Sequence, residues 1–310
     1  MLLDPETLAL APGVERLLGP PGLKTELFSC LVETNTPVCA TADEALAELK
    51  RLRAVVREAA EREGLDVAAT GAHPFSQPEE QEIVQEPRYL KMLAERPSTR
   101  RQLVCGLHVH VGMESFEACL GTLEAVLPWL PAVLALSLNS PYLEPVVPGV
   151  LSGRAGRLLD LPRAGPPPPM PDRAAWERTV APVGDYTRIW WDVRPHPRLG
   201  TLEIRIADQQ TDVRRSAALA ALLQALCVAA ELPGAPIDRD DCLRQRAEAA
   251  RGEAPTGELL DLVEPVSREL DTWALVERLR KPPEAHRQLE VGQSGGPRAV
   301  AADLVARSSQ

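Results

Sequence analysis

The chain has 310 residues, 45% of them hydrophobic and 25% charged, so it can bury a sizeable core without disulfide or metal staples. Lys and Arg number 34 against 44 Asp and Glu, a net charge of −10 with no basic stripe, which argues against a nucleic-acid backbone as the main partner. No secretory leader pattern is visible, and the longest apolar stretch, Leu130–Leu138, is too short to span a membrane, so no membrane partner is expected.

In chain order, Leu31–Asn35 reads as a strand carrying Glu33. Thr41-Ala-Asp-Glu44 has the form of a capping box, and Ala45, Leu49, Leu52, Val56 and Ala60 follow at helical spacing. Gly64 stands where a C-terminal cap belongs, so the spacing predicts an amphipathic helix over 42–63. Residues 65–70 predict a short strand entering a turn at Gly71-Ala-His-Pro74, and the polar stretch 77–85 a loop before a short helix around Arg88–Glu95.

Leu103–Gly112 alternates as a strand does. Leu103, Cys105, Leu107, Val109 and Val111 point one way; Gly106, His108, His110 and Gly112 point the other. An apolar helix is expected at 114–127, with Pro128 and Pro131 interrupting before more helix to about 138. The proline-rich stretch 162–171 predicts a long surface loop or lid, because proline removes donors and fixes φ. Strands at 186–194 and 200–207, joined by the short Pro195–Leu199 connector, predict antiparallel neighbours.

Residues 212–231 are apolar almost all round and predict a helix buried against the sheet. From 235 onward the chain reads as charged helices, with Leu259, Val263, Val266, Leu270 and Trp273 on one stripe. A single domain over 1–310 is expected: a sheet core at about 23–232, a helical part at about 235–290 and a loose tail at 293–310. Cys30, Cys39, Cys105, Cys119, Cys227 and Cys242 contain no C-x-x-C pair and predict reduced thiols in a cytoplasmic protein.

The expected class is therefore α+β, an antiparallel sheet with helices on one face and a polar row on the other. Glu203, Arg205, His108 and His110 on that row are costly to bury unless solvated or liganded, which makes it the place to look for chemistry. His108 and His110 would stand about 7 Å apart, able to share a metal or a phosphate or simply to hydrogen-bond within the face. Glu203 and Arg205 suit a hard cation beside a phosphate clamp, or a plain cross-strand ion pair. Glu33 could add a second carboxylate or be a solvated strand-end charge. Trp190, Asp192 and Arg194 alternate onto one face, with one of Trp190 and Trp191 expected in the core and the other lining a pocket. His73 and Arg154 are weaker signals. No P-loop, G-x-G-x-x-G or G-x-S-x-G is present.

Several segments together carry a resemblance. They are Val32–Cys39, Gly71–Phe75, Cys105–Gly112, Leu136–Tyr142, Ile189–Arg198 and Gly200–Asp208, followed by an Arg/Ala-rich stretch at Arg244–Gly252. In this order they resemble the carboxylate–amine ligases known as type 2 glutamate–cysteine ligases. The resemblance implies a glutamine-synthetase-like sheet binding ATP with Mg²⁺ or Mn²⁺. It implies phosphorylation of the glutamate γ-carboxylate and attack by an amine or amino acid, cysteine by default. By the same resemblance Glu33, His108 and Glu203 match metal ligands. Arg205 and Arg194 match catalytic positions, and Arg205, His110, Trp190 and Arg154 match cofactor-binding positions. Small-molecule substrates and self-association through an exposed sheet edge are the expected partnerships.

One departure stands out. Family members open with a Gly-Val-Glu-x-Glu strand directly before text like Leu2-Leu3-Asp4-Pro5-Glu6, and here Met1 stands where that strand ends. The two glutamates of that strand, half of the implied carboxylate shell, are not in this stretch, as expected of a start assigned too late or, second, of a divergent copy; Glu6 and Glu15 fall in the following loop and helix and do not replace them. The competing expectation is a non-catalytic relative that binds nucleotide or amino acid; a metal hydrolase built on the H-x-H pair is a third.

Overall fold

A computed structural model describes residues 1–144, 146–232 and 238–309 of the chain. The strands are β1 (Leu2–Leu3), β2 (Leu23–Thr25), β3 (Val32–Thr34), β4 (Asp66–Val67), β5 (Val109–Gly112), β6 (Ala164–Gly165), β7 (Trp190–Trp191), β8 (Val193–His196) and β9 (Thr201–Ile204). The helices are α1 (Val14–Leu17), α2 (Ala42–Arg62), α3 (Pro87–Glu95), α4 (Phe116–Val126), α5 (Leu130–Ser137), α6 (Gly153–Leu158), α7 (Arg173–Val180), α8 (Val213–Ala229), α9 (Arg239–Ala249), α10 (Thr256–Glu269), α11 (Trp273–Val276) and α12 (Glu284–Ser308). The class is mixed helix and sheet, with small and mostly antiparallel sheets.

The expected capping box forms in part: the Glu44 amide donates to Thr41 Oγ1 at 3.1 Å, while the Glu44 carboxylate reaches one residue further back and accepts from the Ala40 amide at 2.7 Å. At the other end Gly64 takes a φ of +69°, which lets the chain leave α2 as a glycine cap does. Leu2–Leu3, a strand the sequence did not suggest, pairs with β4.

The central sheet has the order β5-β9-β8, antiparallel throughout. Val109, Ile204 and Val193 form one row across it, and His110, Glu203 and Arg194 the next. Because side chains alternate, the first row faces the core and the second the open side. Leu202, Ile204 and Ile206 are fully buried in one hydrophobic cluster with residues of α4 and α8. Each contributes about 1.5–3 kcal/mol by leaving water, enough together to fix the register. Helices thus cover one face, as expected.

Some expectations shift. The 186–194 strand starts only at Trp190, because Tyr186–Arg188 forms a short 3-10 helix; it then divides at a bend on Asp192, and its second half runs on to His196, where Pro195 is tolerated because β8 is an edge strand. The 103–112 strand is regular only from Val109, with isolated pairings of Val104 to Ala72 and Gly106 to Asp208 upstream. The 162–171 stretch is not all surface loop: Ala164–Gly165 pairs in parallel with Trp190–Trp191, and Met170 is buried in the core. Leu270 leaves the apolar stripe, because α10 ends one residue before it and it lies exposed. Residues 235–237, expected to open the helical part, lie outside the described residues.

The largest correction concerns the tail. Residues 293–310 were expected to be loose, but α12 runs to Ser308 and buries Val300, Ala301 and Leu304. Gly296, with a φ of 72°, does interrupt it; the helix resumes because Pro297 suits a first helical position, where its missing amide costs nothing. The second half packs in a separate hydrophobic cluster with Leu2, Leu3, Phe28 and Val56. Phe116–Ser137 is long and apolar enough to cross a membrane by composition, but 72% of that window is buried within the fold, as in a core helix.

Candidate active site

Glu203 sits at the centre of the polar face. Its Oε2 accepts from Arg194 Nε at 2.7 Å, and its Oε1 accepts from Arg205 Nη1. The same Oε1 lies 3.8 Å from His108 Nδ1 and 3.9 Å from His110 Nε2. Burial disfavours a charge on Glu203, but the Arg205 and then the Arg194 guanidinium outweigh it and hold the carboxyl well below the usual carboxylate range.

The two arginines differ in what they still offer. Arg194 is 7% exposed, and its Nη1 donates to the Ile189 carbonyl at 2.6 Å and the Tyr186 carbonyl at 3.1 Å. It ties the 186–189 turn to the sheet and fastens Glu203. Arg205 approaches His108 Nδ1 at 3.3 Å and keeps 16% of its side-chain surface open. Burial lowers its pKa to about 10, with Glu203 opposing, so it stays protonated at neutral pH. Burial, and then Arg205, hold His108 well below its ordinary value, so it stands neutral beside the guanidinium. His110 is also lowered, by burial first, with Glu203 pulling the other way.

Arg154 is a buried buttress beside this row. It is 2% exposed, and its guanidinium donates to the Arg205 carbonyl at 2.9 Å and the Ile206 carbonyl at 3.0 Å. Asp208, wholly buried, lies 3.5 Å from it and accepts from Ser140 Oγ, Ser152 Oγ and the Asn139 amide. A Cβ at Gly106 would stand 2.1 Å from Arg154 Nη2, so only glycine leaves room for the guanidinium there. Arg154 therefore holds the backbone just past β9, and its burial leaves little of it open for the cofactor contact the resemblance implied.

The remaining candidates spread out. Trp191 is in the core beside Trp176, while Trp190 is half-buried with the Arg96 guanidinium 4.8 Å from its ring centroid. Asp192 does not share the Arg194 row: where the chain bends, its carboxylate turns to Arg246 of α9, at 2.8 Å. Glu33 lies on the β2–β3 hairpin opposite Lys24, hydrogen-bonded to Asn35 Nδ2 at 3.1 Å. Burial and then Glu26 raise its pKa.

A family model for glutamate–cysteine ligase family 2 matches residues 4–292. The chain belongs to that family. A Rubrobacter xylanophilus protein provisionally named glutamate–cysteine ligase 2-3 is 39% identical over 311 residues, covering 89% of this chain and 84% of the relative. A second protein from that organism, provisionally named 2-1, is 35% identical over 267 residues, covering 81% and 71%. A Herpetosiphon aurantiacus protein, provisionally named glutamate–cysteine ligase 2, is 36% identical over 240 residues, covering 73% of this chain and 62% of its own length.

The resemblance to glutamate–cysteine ligases implies Glu33, His108 and Glu203 as a metal set. Among the described residues no three His, Cys, Asp or Glu side chains converge as metal ligands. His108 and Glu203 are neighbours, but guanidiniums cover both Glu203 oxygens, and Glu33 stands on another hairpin. The donor set present suits an anion better than a cation.

Four participants escaped the sequence: Asp208, Arg246, His196 and Tyr186. Arg246 could have been found, since it sits on the face of α9 that also buries Cys242 and Ala249, and an arginine on such a face needs an acid. His196 could have been found by carrying the Arg194 alternation two residues on, through Pro195. Asp208 and Tyr186 left no separate signal.

Proposed function

We propose that this member of the glutamate–cysteine ligase family is an ATP-dependent carboxylate–amine ligase that joins the glutamate γ-carboxylate to an amine, cysteine by default, through an acyl phosphate. The observation that carries the proposal is Arg205, a protonated guanidinium held by Glu203 at the mouth of a polar sheet face, with neutral His108 beside it. That arrangement suits phosphoryl transfer, in which the protein mainly positions substrates and neutralises oxygen charge. A γ-carboxylate oxygen attacks the γ-phosphorus of ATP and the bond to the β-phosphate oxygen breaks, releasing ADP. The amine nitrogen then attacks the acyl carbon, the C–O bond to phosphate breaks, and the nitrogen gives up a proton. No side-chain nucleophile is needed.

The nucleotide is proposed to arrive as its Mg²⁺ or Mn²⁺ complex, with no step assigned to the metal. A glutamine-synthetase-like relationship of the sheet and a cytoplasmic setting belong to the same proposal, the latter supported by six free thiols. The test is ADP release by the purified chain with ATP, Mg²⁺, glutamate and a panel of amines. Release that needs both glutamate and an amine, and is lost in Arg205→Ala, is expected. Release indifferent to glutamate, or none with any amine, would sink the proposal.

A further inference from the structure

The polar face continues one row beyond Glu203. Gly112, Thr201 and His196 oppose one another across β5, β9 and β8, two residues along each strand from His110, Glu203 and Arg194. They therefore share the open face. This row has a different chemistry, for it contains neither arginine nor carboxylate. The His196 ring packs edge-on against His110 at 5.3 Å and against Tyr186 at 5.3 Å, with Nε2 3.4 Å from the Tyr186 hydroxyl. His110 Nδ1 lies 2.9 Å from Thr201 Oγ1. Arg194 approaches the Tyr186 ring at 5.9 Å, but its Nε and Nη1 already donate to Glu203 and to backbone carbonyls.

Gly112 gives the row its shape. Nothing lies within 4 Å of the place a Cβ would occupy there, and its φ is not in the left-handed region, so neither packing nor backbone demands glycine. What glycine leaves is an open, exposed place at the end of the row that Thr201 and His196 continue, one pleat along from His110. We infer that this place is the subsite for the acceptor, a small primary amine whose nitrogen lies against His110 and Thr201 and whose substituent lies over Gly112. The inference rests on the ligase reading and adds the residues that hold the second substrate.

Two arguments support it. An attacking nitrogen must keep its lone pair, so imidazole and hydroxyl partners that accept an N–H suit it, whereas guanidiniums suit the oxygens of phosphate. The geometry also brings the ends together: Arg205 and His110 both approach Glu203 Oε1, His110 at 3.9 Å, so the anion end and the amine end are one side chain apart. An acyl carbon between them would be within reach of both.

The test uses the full chain and reads the side-chain resonances of its five histidines by NMR, with His196 assigned from His196→Gln. Cysteine should shift the His196 and His110 rings in the native protein, while inorganic phosphate should leave His196 unmoved. Gly112→Val, which has room to fold, should weaken the cysteine response and raise KM for cysteine roughly tenfold or more, leaving KM for ATP unchanged. A His196 ring silent to cysteine and to every amine that supports ADP release would overturn the inference and leave the ligase reading standing. So would a Gly112→Val protein that responds like the native one. A cysteine-dependent His196 shift without ADP release would remove the ligase reading and overturn the acceptor role with it, leaving only an amine-binding place on the sheet.

Discussion

Arg194 and Glu203 lie side by side on adjacent strands, Nε to Oε2 2.7 Å, with 8% and 4% of their side-chain surfaces exposed. The pair is as much a part of the fold as of the site, because Arg194 also carries the carbonyls of the 186–189 turn. Glu203→Ala would leave that buried guanidinium without its counter-charge, a loss of about 3–5 kcal/mol. Arg205→Ala leaves Glu203 paired to Arg194, and should cost no more than about 1.5 kcal/mol while abolishing turnover. Urea midpoints at unchanged slope check the difference, and equal losses in the two variants would refute this division of labour.

His73 supplies a pH dependence. Its Nδ1 accepts from the Ser76 amide at 3.1 Å and its Nε2 faces the Leu8 carbonyl at 3.0 Å, so the neutral ring fits and a protonated one forfeits its acceptor. Burial lowers its pKa to about 4. The unfolded chain, titrating near its ordinary value of about 6.5, binds the proton first as pH falls. Stability is therefore full above about pH 6.5 and declines toward pH 4, with a limiting slope of about 1.4 kcal/mol per pH unit. His73→Gln should flatten that slope between pH 6.5 and 4, whatever its absolute stability; urea midpoints at pH 7, 6 and 5 would show it.

How much of this was legible follows from the range of each signal. The Thr41 cap, the alternation of Leu202, Ile204 and Ile206, and the pairing of His108 and His110 on the side of Glu203 are local patterns, and each appears. Partners far apart in sequence were not legible: Asp192 looked like a neighbour of Arg194, yet a bend gives its carboxylate to Arg246 on a helix 54 residues away. Nor was it legible that Arg154, matched to a cofactor-binding position by the resemblance, would be buried against the Arg205 and Ile206 carbonyls some fifty residues on. The 293–310 segment misled through composition, since Gly-Gly-Pro does break the helix, but for a single residue.

Gly106→Ala tests the buttress. The new methyl would meet Arg154 Nη2 at 2.1 Å, and this guanidinium cannot swing aside without giving up the Arg205 and Ile206 carbonyls. Overpacking of this kind costs about 1–3 kcal/mol and should also lower turnover, because the strand carrying Arg205 shifts. In Arg154→Ala the obstacle is gone, so adding Gly106→Ala should cost almost nothing more. Additive losses in the double-mutant cycle would mean that the two residues do not act on each other.

Leu304→Ala separates a docked C-terminal helix from a loose tail. Leu304 is fully buried in the cluster that holds Leu2, Leu3 and Val56, and the helix end is fixed by the Ala69 amide donating to Ser308 Oγ at 2.9 Å and by Arg53 donating to the Ser308 carbonyl at 3.3 Å. Truncating a side chain in such a place removes transfer free energy and leaves a cavity, so a loss of about 2–5 kcal/mol is expected. Leu270→Ala is the control, a leucine 41% exposed just past the end of α10, where the change should stay within about 0.5 kcal/mol. If Leu304→Ala unfolds at the same urea concentration as the native chain, α12 does not hold the N-terminal strands in place.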